Sequence, residues 1–277
     1  MIFKDRSVII TGASAGVGAA TARLFAEAGA KLMLVARGKR KLEAIAEELR
    51  DKTHVEIRAM DVADAEACTN LVKKANFEFG RLDVLVNNAG MHARGDFLDV
   101  SATDVAEMVD VNLRAPIMLS RLALPFMQEN GSGAIVNVAS LAGRTPVPGA
   151  ATYSATKFGL RALTYALADE LKDTDIKVAA VSPGPIDTGF IMENIDEVGD
   201  LVFSQPMSTA EEVAQTILDL CGNDRIEQSM PPVSGLLTTA TYLFPWLGRA
   251  VRPSLVKKGQ REKAKWKARQ KTDENGD

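Results

Sequence analysis

Covalent cross-links and metal centres have almost nothing to build on in this chain. Its 277 residues include only two cysteines, Cys68 and Cys221, and two histidines, His54 and His92. Two thiols so far apart give neither a disulfide framework nor a Cys/His metal spacing, and scarce cysteine suits a reducing compartment. Each cysteine reads as a small buried apolar residue, and no metal is expected. A secretory signal is also missing. Only Met-Ile-Phe precedes Lys4 and Asp5, which leaves neither a charged leader nor an apolar core, so a cytoplasmic protein is expected. There is no repeat or low-complexity tract. With 46% hydrophobic and 25% charged residues, the composition excludes disorder, collagen and disulfide-stapled miniproteins.

The chain as a whole lacks a large excess of either charge, but its formal −3 is unevenly spread. Residues 249–277 carry ten Lys/Arg against four Asp/Glu, a balance of +6, which leaves −9 on residues 1–248. An acidic body argues against nucleic acid as a partner and sets the basic tail apart.

What is present over the first 190 residues is an alternation of short β-branched runs with longer stretches of helical period. Strands are expected at 7–10, 31–36, 55–60, 82–86, 134–138 and 176–181. Helices are expected between them, one from Gly18 to Ala28 stopping at Gly29, another over 39–50 with Leu42, Ile45, Ala46 and Leu49 on one face. Pro116 and Pro125 should bend or break a long helix between Asp104 and Gln128. Continuous apolar strands separated by helices predict an α/β fold, a doubly wound, Rossmann-like parallel sheet. One domain over 1–226 and a C-terminal extension over 227–277 are expected. Residues 189–207 are apolar and acidic without a clear period, and read either as a substrate-covering segment or as surface helices.

The first strand runs into Thr11-Gly12-Ala13-Ser14-Ala15-Gly16-Val17-Gly18, which opens the first helix. Glycines between strand and helix let a pyrophosphate approach the backbone, where free N–H groups and the helix dipole stabilise its charge. An acid closing the second strand would hold the free ribose hydroxyl of NAD and repel a 2′-phosphate. Arg37 stands there instead, with Lys39 and Arg40 nearby, and with the Ser14 hydroxyl it favours NADP(H), NAD(H) being the alternative.

Tyr153 and Lys157 are four apart and share a helical face. An ammonium beside a phenol should lower its pKa from about 10 towards neutrality, which suits a general acid or base. Ser140 closes the fifth strand at the edge where open α/β sheets bind ligands, and its hydroxyl can donate to a carbonyl oxygen.

In order, Thr11-Gly-x-x-x-Gly-x-Gly18, Asp61-Val62, Asn87-Asn-Ala-Gly90, Asn112, Ser140, Tyr153 with Lys157, and Pro183-Gly184 with Thr188 resemble the motifs of the short-chain dehydrogenase/reductase family. The resemblance covers most of residues 5–190. It implies hydride transfer between a nicotinamide and a carbonyl carbon or secondary alcohol, with Tyr153 as general acid/base and Ser140 polarising the substrate oxygen. It further implies that Lys157 binds the nicotinamide ribose and that Asn112, at a helix irregularity, holds a relay water. Gly12, Ser14, Gly16, Val17, Gly18 and Arg37 would take the phosphates, and Asp61 and Val62 the adenine. Asn88, Ala89 and Gly90 would line the cofactor's middle, with Pro183, Gly184, Ile186 and Thr188 at the nicotinamide end. His54 falls outside this set as a surface residue, and His92 stays open as a pocket wall.

The ending departs from the family, lacking the last strand, aspartate and paired glycines that often build a tetramer. A homo-oligomer is still expected, a dimer before a tetramer. Residues 228–248 form a 21-residue uncharged run whose three prolines and two glycines make a poor transmembrane helix. With the basic tail, residues 236–271 read either as an interfacial anchor on the inner membrane surface or as a segment capping the pocket or a dimer. Phe190, Ile191, Met192, Phe203, Leu236, Leu237, Tyr242 and Leu243 are candidates for an apolar pocket, equally readable as core. The ending is similar to that of bacterial and microsomal reductases of the family that act on lipophilic ketones, and with these residues that resemblance implies an apolar, lipid-like or steroid-like ketone or secondary alcohol. The rival function is a catalytically silent NADP(H) sensor or scaffold acting through its tail.

Overall fold

The structure, a computed structural model, describes residues 3–193 and 195–274. Met1 and Ile2 of the amino-terminal reading, and the side chains of the tail beyond Ala268, lie outside the described residues.

Seven strands form one parallel sheet in the order β3-β2-β1-β4-β5-β6-β7. They are β1 (Ser7–Thr11), β2 (Lys31–Ala36), β3 (Val55–Ala59), β4 (Val84–Asn87), β5 (Gly133–Val138), β6 (Ile176–Pro183) and β7 (Glu227–Met230). The six expected strands appear within about two residues of their expected ends. β7 is a seventh, paired to β6 with Ala180 opposite Glu227, so the sheet runs past residue 226.

The central strands β1, β2 and β4 read as near-continuous apolar runs because both their faces are covered. Val8, Ile10, Leu32 and Leu34 pack to one side with helices α1 (Gly16–Glu27), α2 (Lys39–Arg50) and α8 (Ala210–Leu220). Ile9, Met33 and Val35 pack to the other with α3 (Ala65–Phe79) and α5 (Ala115–Glu129). This is the two-residue alternation of a strand seen from its two faces. Gly29 ends α1 as expected: its N–H donates to the Ala26 carbonyl and that of Ala30 to Phe25, closing the helix end. Cys68 is fully buried, and burial pushes its thiol up to about 11; both cysteines are free.

Between α4 (Ala102–Val109) and α5 the helix is irregular for a different reason than proline bending. Residues Asp110–Arg114 form a π-helical turn, and Pro116 follows within the first turn of α5, where a missing N–H does little harm. Pro125 is accommodated inside α5. The remaining helices are α6 (Ala151–Glu170), the short α7 (Gly189–Met192), α9 (Pro232–Leu243) and α10 (Pro245–Glu274). The uncharged run therefore breaks at Phe244-Pro245, and no helix among the described residues is long and apolar enough to cross a membrane.

The segment after Thr188 forms its own cluster of Ile191, Ile195, Val198 and Phe203, against which Trp266 of α10 packs. Lys263 donates to the Val198 carbonyl at 2.6 Å and lies 3.6 Å from Asp200, while Lys267 pairs with Asp196. The far half of the basic tail thus neutralises this acidic segment and holds it in place.

Candidate active site

All seven strands point their carboxyl ends to one edge, and between β1 and β4 the chain direction of the crossovers reverses, opening a crevice. Thr11 and Asn88 stitch its two sides together. The Thr11 hydroxyl accepts from the Asn88 and Ala89 N–H groups, each at 3.0 Å, and the Asn88 side-chain amide donates to the Thr11 carbonyl at 2.8 Å and the Gly12 carbonyl at 3.2 Å. A β-carbon at Gly12, where φ is +66°, would fall 2.8 Å from the Asn88 amide, and one at Gly18 would fall 2.2 Å from the Gly12 carbonyl oxygen. Only glycine allows the turn to close so tightly.

The turn leaves the start of α1 without a side-chain cap, whereas Asp64, Ser101 and Thr209 cap α3, α4 and α8. Uncapped N–H groups at the mouth of a glycine turn, with no acid in the first helical turn, fit a pyrophosphate. Val17 is buried in the core beneath, Ser14 is half-buried in the turn, and Thr188 lies over Gly16 so closely that a β-carbon there would be 3.3 Å from its methyl.

At the adenine end Arg37 is exposed, its guanidinium 3.2 Å from Glu107 and 3.9 Å from Asp61. Asp61 also accepts from the Ala63 N–H at 2.8 Å, while Val62 is buried. At the other end Gly184 donates to the Met230 carbonyl at 2.8 Å and Ile186 bridges to Ser208, so β7 helps to place the turn after Pro183.

The structure brings Ser140, Tyr153 and Lys157 together where β5 ends. The Ser140 hydroxyl accepts from the Ala142 N–H at 3.1 Å and faces the Pro183 carbonyl at 3.5 Å. Lys157 is buried, donates to the Val138 carbonyl at 2.8 Å, and is lowered to about 8 by burial. Asn112, fully buried in the π-helical turn, accepts from the Met91 N–H and donates to the Met91 carbonyl, both at 2.8 Å, and reaches Thr156 at 3.4 Å. A β-carbon on Gly90 would sit between Asn112 and Lys157, at 3.4 and 3.8 Å.

One expectation is corrected. The Tyr153 phenol is raised above its ordinary value, not lowered, because burial outweighs the Ser140 hydroxyl and the Arg94 cation that favour its ionised form. The Lys157 ammonium lies 5.7 Å from the ring centroid and is turned to the Val138 carbonyl.

Two residues flank the phenol. His92 stacks on the Tyr153 ring, centroids 4.2 Å apart at 15°, with a buried, unpartnered Nε2. Burial, then Arg94 and Lys157, lower it to about 4, so it is neutral near pH 7. Arg94 donates to the Phe190 carbonyl at 2.7 Å across the cleft. Sequence reasoning left His92 open and missed Arg94, since neither belongs to a motif. His54, as expected, is a surface residue, 3.5 Å from Glu56. The apolar pocket candidates divide: Ile191 and Phe203 are buried in the cluster under α10, whereas Leu236, Leu237 and Leu243 face solvent. A depression of about 930 Å³ near Phe3, Met207 and Met230 includes none of the expected site residues.

A family model described as short chain dehydrogenase matches residues 6–198. An uncharacterized oxidoreductase of Staphylococcus aureus is 36% identical over 187 residues, which span 68% of this chain and 80% of that relative. Another, from Staphylococcus saprophyticus, is 38% identical over 200 residues, 71% of this chain and 79% of the relative. The crystal structure of levodione reductase superposes with a TM-score of 0.77 at 28% identity, covering 84% of this chain and 99% of that one. By sequence and by fold, the chain belongs to the short-chain dehydrogenase family of NAD(P)-dependent oxidoreductases that act on CH–OH groups.

Proposed function

We propose that this enzyme is NADP(H)-dependent and reduces an apolar, lipid-like or steroid-like ketone, or oxidises the matching secondary alcohol. The observation that carries this reading is the meeting of Ser140, Tyr153 and Lys157 at the sheet edge beside the uncapped glycine turn. The bound nicotinamide supplies the hydride chemistry. Tyr153, kept protonated by burial, gives its proton to the substrate oxygen, and Ser140 donates to the same oxygen. Lys157 spends one of its three donors on Val138 and keeps two for the nicotinamide ribose. Pro116 has no N–H to offer the Asn112 carbonyl four residues earlier, and that carbonyl is suited to a relay water.

The Arg37 cation supports NADP(H), with NAD(H) as the weaker alternative, because a 2′-phosphate would exchange with Glu107 for the guanidinium. NADPH consumption against a panel of aliphatic, steroid and long-chain ketones should show turnover, slower with NADH. Arg37→Asp should move the ratio of efficiencies towards NADH by roughly tenfold or more, the worth of one charge-assisted hydrogen bond. An unchanged ratio removes Arg37 from cofactor choice. Tight NADPH binding with no turnover on any ketone would instead favour a sensor.

The assembly we propose is a homodimer working in the cytoplasm, with contact to the inner membrane surface through residues 236–258, the part of the expected 236–271 anchor that precedes the contacts of Lys263, Trp266 and Lys267 with the acidic segment. Leu236, Leu243 and Trp246 are 74%, 63% and 66% exposed, and Arg249, Arg252, Lys257 and Lys258 follow on the near half of α10. Apolar side chains beside cations suit an anionic bilayer, whereas a second copy would set like charges together. Anionic vesicles should float the intact protein but release it when Leu243 and Trp246 are both changed to Ser. Equal recovery disposes of membrane contact.

A further inference from the structure

We infer that Arg94 is the recognition point for an anionic group on the substrate, so that the ketone is an amphiphile with a carboxylate or similar charge; this rests on the oxidoreductase reading. Arg94 lies on the connection between β4 and α4 and leans over the cleft to α7. There it donates to the Phe190 carbonyl and sits 5.3 Å from the centre of the Phe190 ring. It stands two residues past His92, whose ring stacks on that of Tyr153 at 4.2 Å, which places it at the chemical end of the crevice. Burial holds the guanidinium below its ordinary value.

A guanidinium has five N–H donors, and among the described residues the protein engages one of Arg94's. No carboxylate lies within 4.0 Å of it among those residues; Glu197 is the acid whose field reaches it. The other arginines packed against the fold are treated differently. Arg6 and Arg81 meet the buried carboxylate of Asp83, and Arg144 and Arg161 meet that of Glu227. A half-buried cation that the described residues engage through one donor alone becomes favourable when an anion completes it, bidentate geometry being the natural fit. Lys157, the other cation of the cleft, is turned to the Val138 carbonyl, which leaves Arg94 as the cation beside the neutral His92 and the Phe190 ring.

The oxidised cofactor cannot reduce a ketone, so recognition is measurable apart from chemistry. Dissociation constants for a medium-chain oxo acid and its methyl ester should be measured by calorimetry on the enzyme saturated with NADP⁺, with kcat/KM determined in parallel using NADPH. The acid should bind roughly ten- to a hundredfold more tightly than the ester. Arg94→Gln should bring that ratio close to one, and Arg94→Lys should keep part of it. Equal binding of acid and ester to the unmodified protein overturns the inference, as does a preference that survives Arg94→Gln. Acid-selective binding without turnover would support the anion site while counting against the proposed reaction.

Discussion

Tyr153→Phe should bind NADPH about as well as the parent protein and reduce ketones some 10²- to 10⁴-fold more slowly, the usual worth of a positioned proton donor. The substitution removes one hydroxyl and keeps the ring that His92 stacks upon, so the cleft keeps its shape. Burial raises the phenol, and a raised pKa means that the protonated form persists through neutral pH. Reduction, which consumes that proton, should therefore be nearly flat across neutral pH in the parent enzyme. Alcohol oxidation, which needs the phenolate, should climb as pH rises towards and beyond the ordinary tyrosine value of about 10. Single-turnover NADPH oxidation gives the rate loss, and pH profiles in both directions give the assignment. Retained turnover in Tyr153→Phe, or an oxidation rate that ignores alkaline pH, would take Tyr153 out of the role of acid and base.

The sheet was legible because strands covered on both faces must be apolar at every position. Ile9 and Ile10 face opposite cores and both are fully buried. β7 was not legible for the same reason in reverse. Glu-Gln-Ser-Met is an edge strand, half-buried at every position and paired on one side, and carries no apolar run. Asn112 and its helix irregularity were expected, but prolines pointed to a bend whereas the backbone makes a π-helical turn just before Pro116. The motif residues were found because chemistry fixes their type and order. Arg94 and Trp266 owe their positions to tertiary approach, across 96 residues from Arg94 to Phe190, and local spacing holds no trace of that. The basic tail was visible as charge, yet its partners Asp196 and Asp200 could be matched to it only once α10 was seen to fold back on them.

Glu227→Ala should destabilise the protein by about 3–5 kcal/mol, the cost of removing one partner from a buried ion pair. Its carboxylate is 3% exposed and takes Arg144 at 2.7 Å, Arg161 at 2.8 Å, the Ser182 hydroxyl at 2.7 Å and the Tyr165 hydroxyl at 2.8 Å. Burial alone would push the carboxyl up, but Ser182, Arg161, Tyr165 and Arg144 together hold it below the ordinary glutamate value. Alanine would leave two guanidinium groups, 15% and 27% exposed, without their counter-charge. Glu227→Gln keeps the shape and some of the hydrogen bonds, and should lose less. The depressed pKa sets the sign with acid: this stabilisation is complete above the unfolded-state value of about 4.3 and fades as pH falls through the lower folded value. Urea unfolding of both variants at neutral and acidic pH measures the loss. The gap between parent and alanine variant should be widest at neutral pH and narrow in acid, and a gap that does not narrow would mean that packing, not charge, holds the joint. Arg144 lies four residues past Ser140, Arg161 one helical turn past Lys157, and Ser182 next to Pro183. The joint that Glu227 closes therefore fixes three segments of the active site against one another, and kcat should fall along with stability.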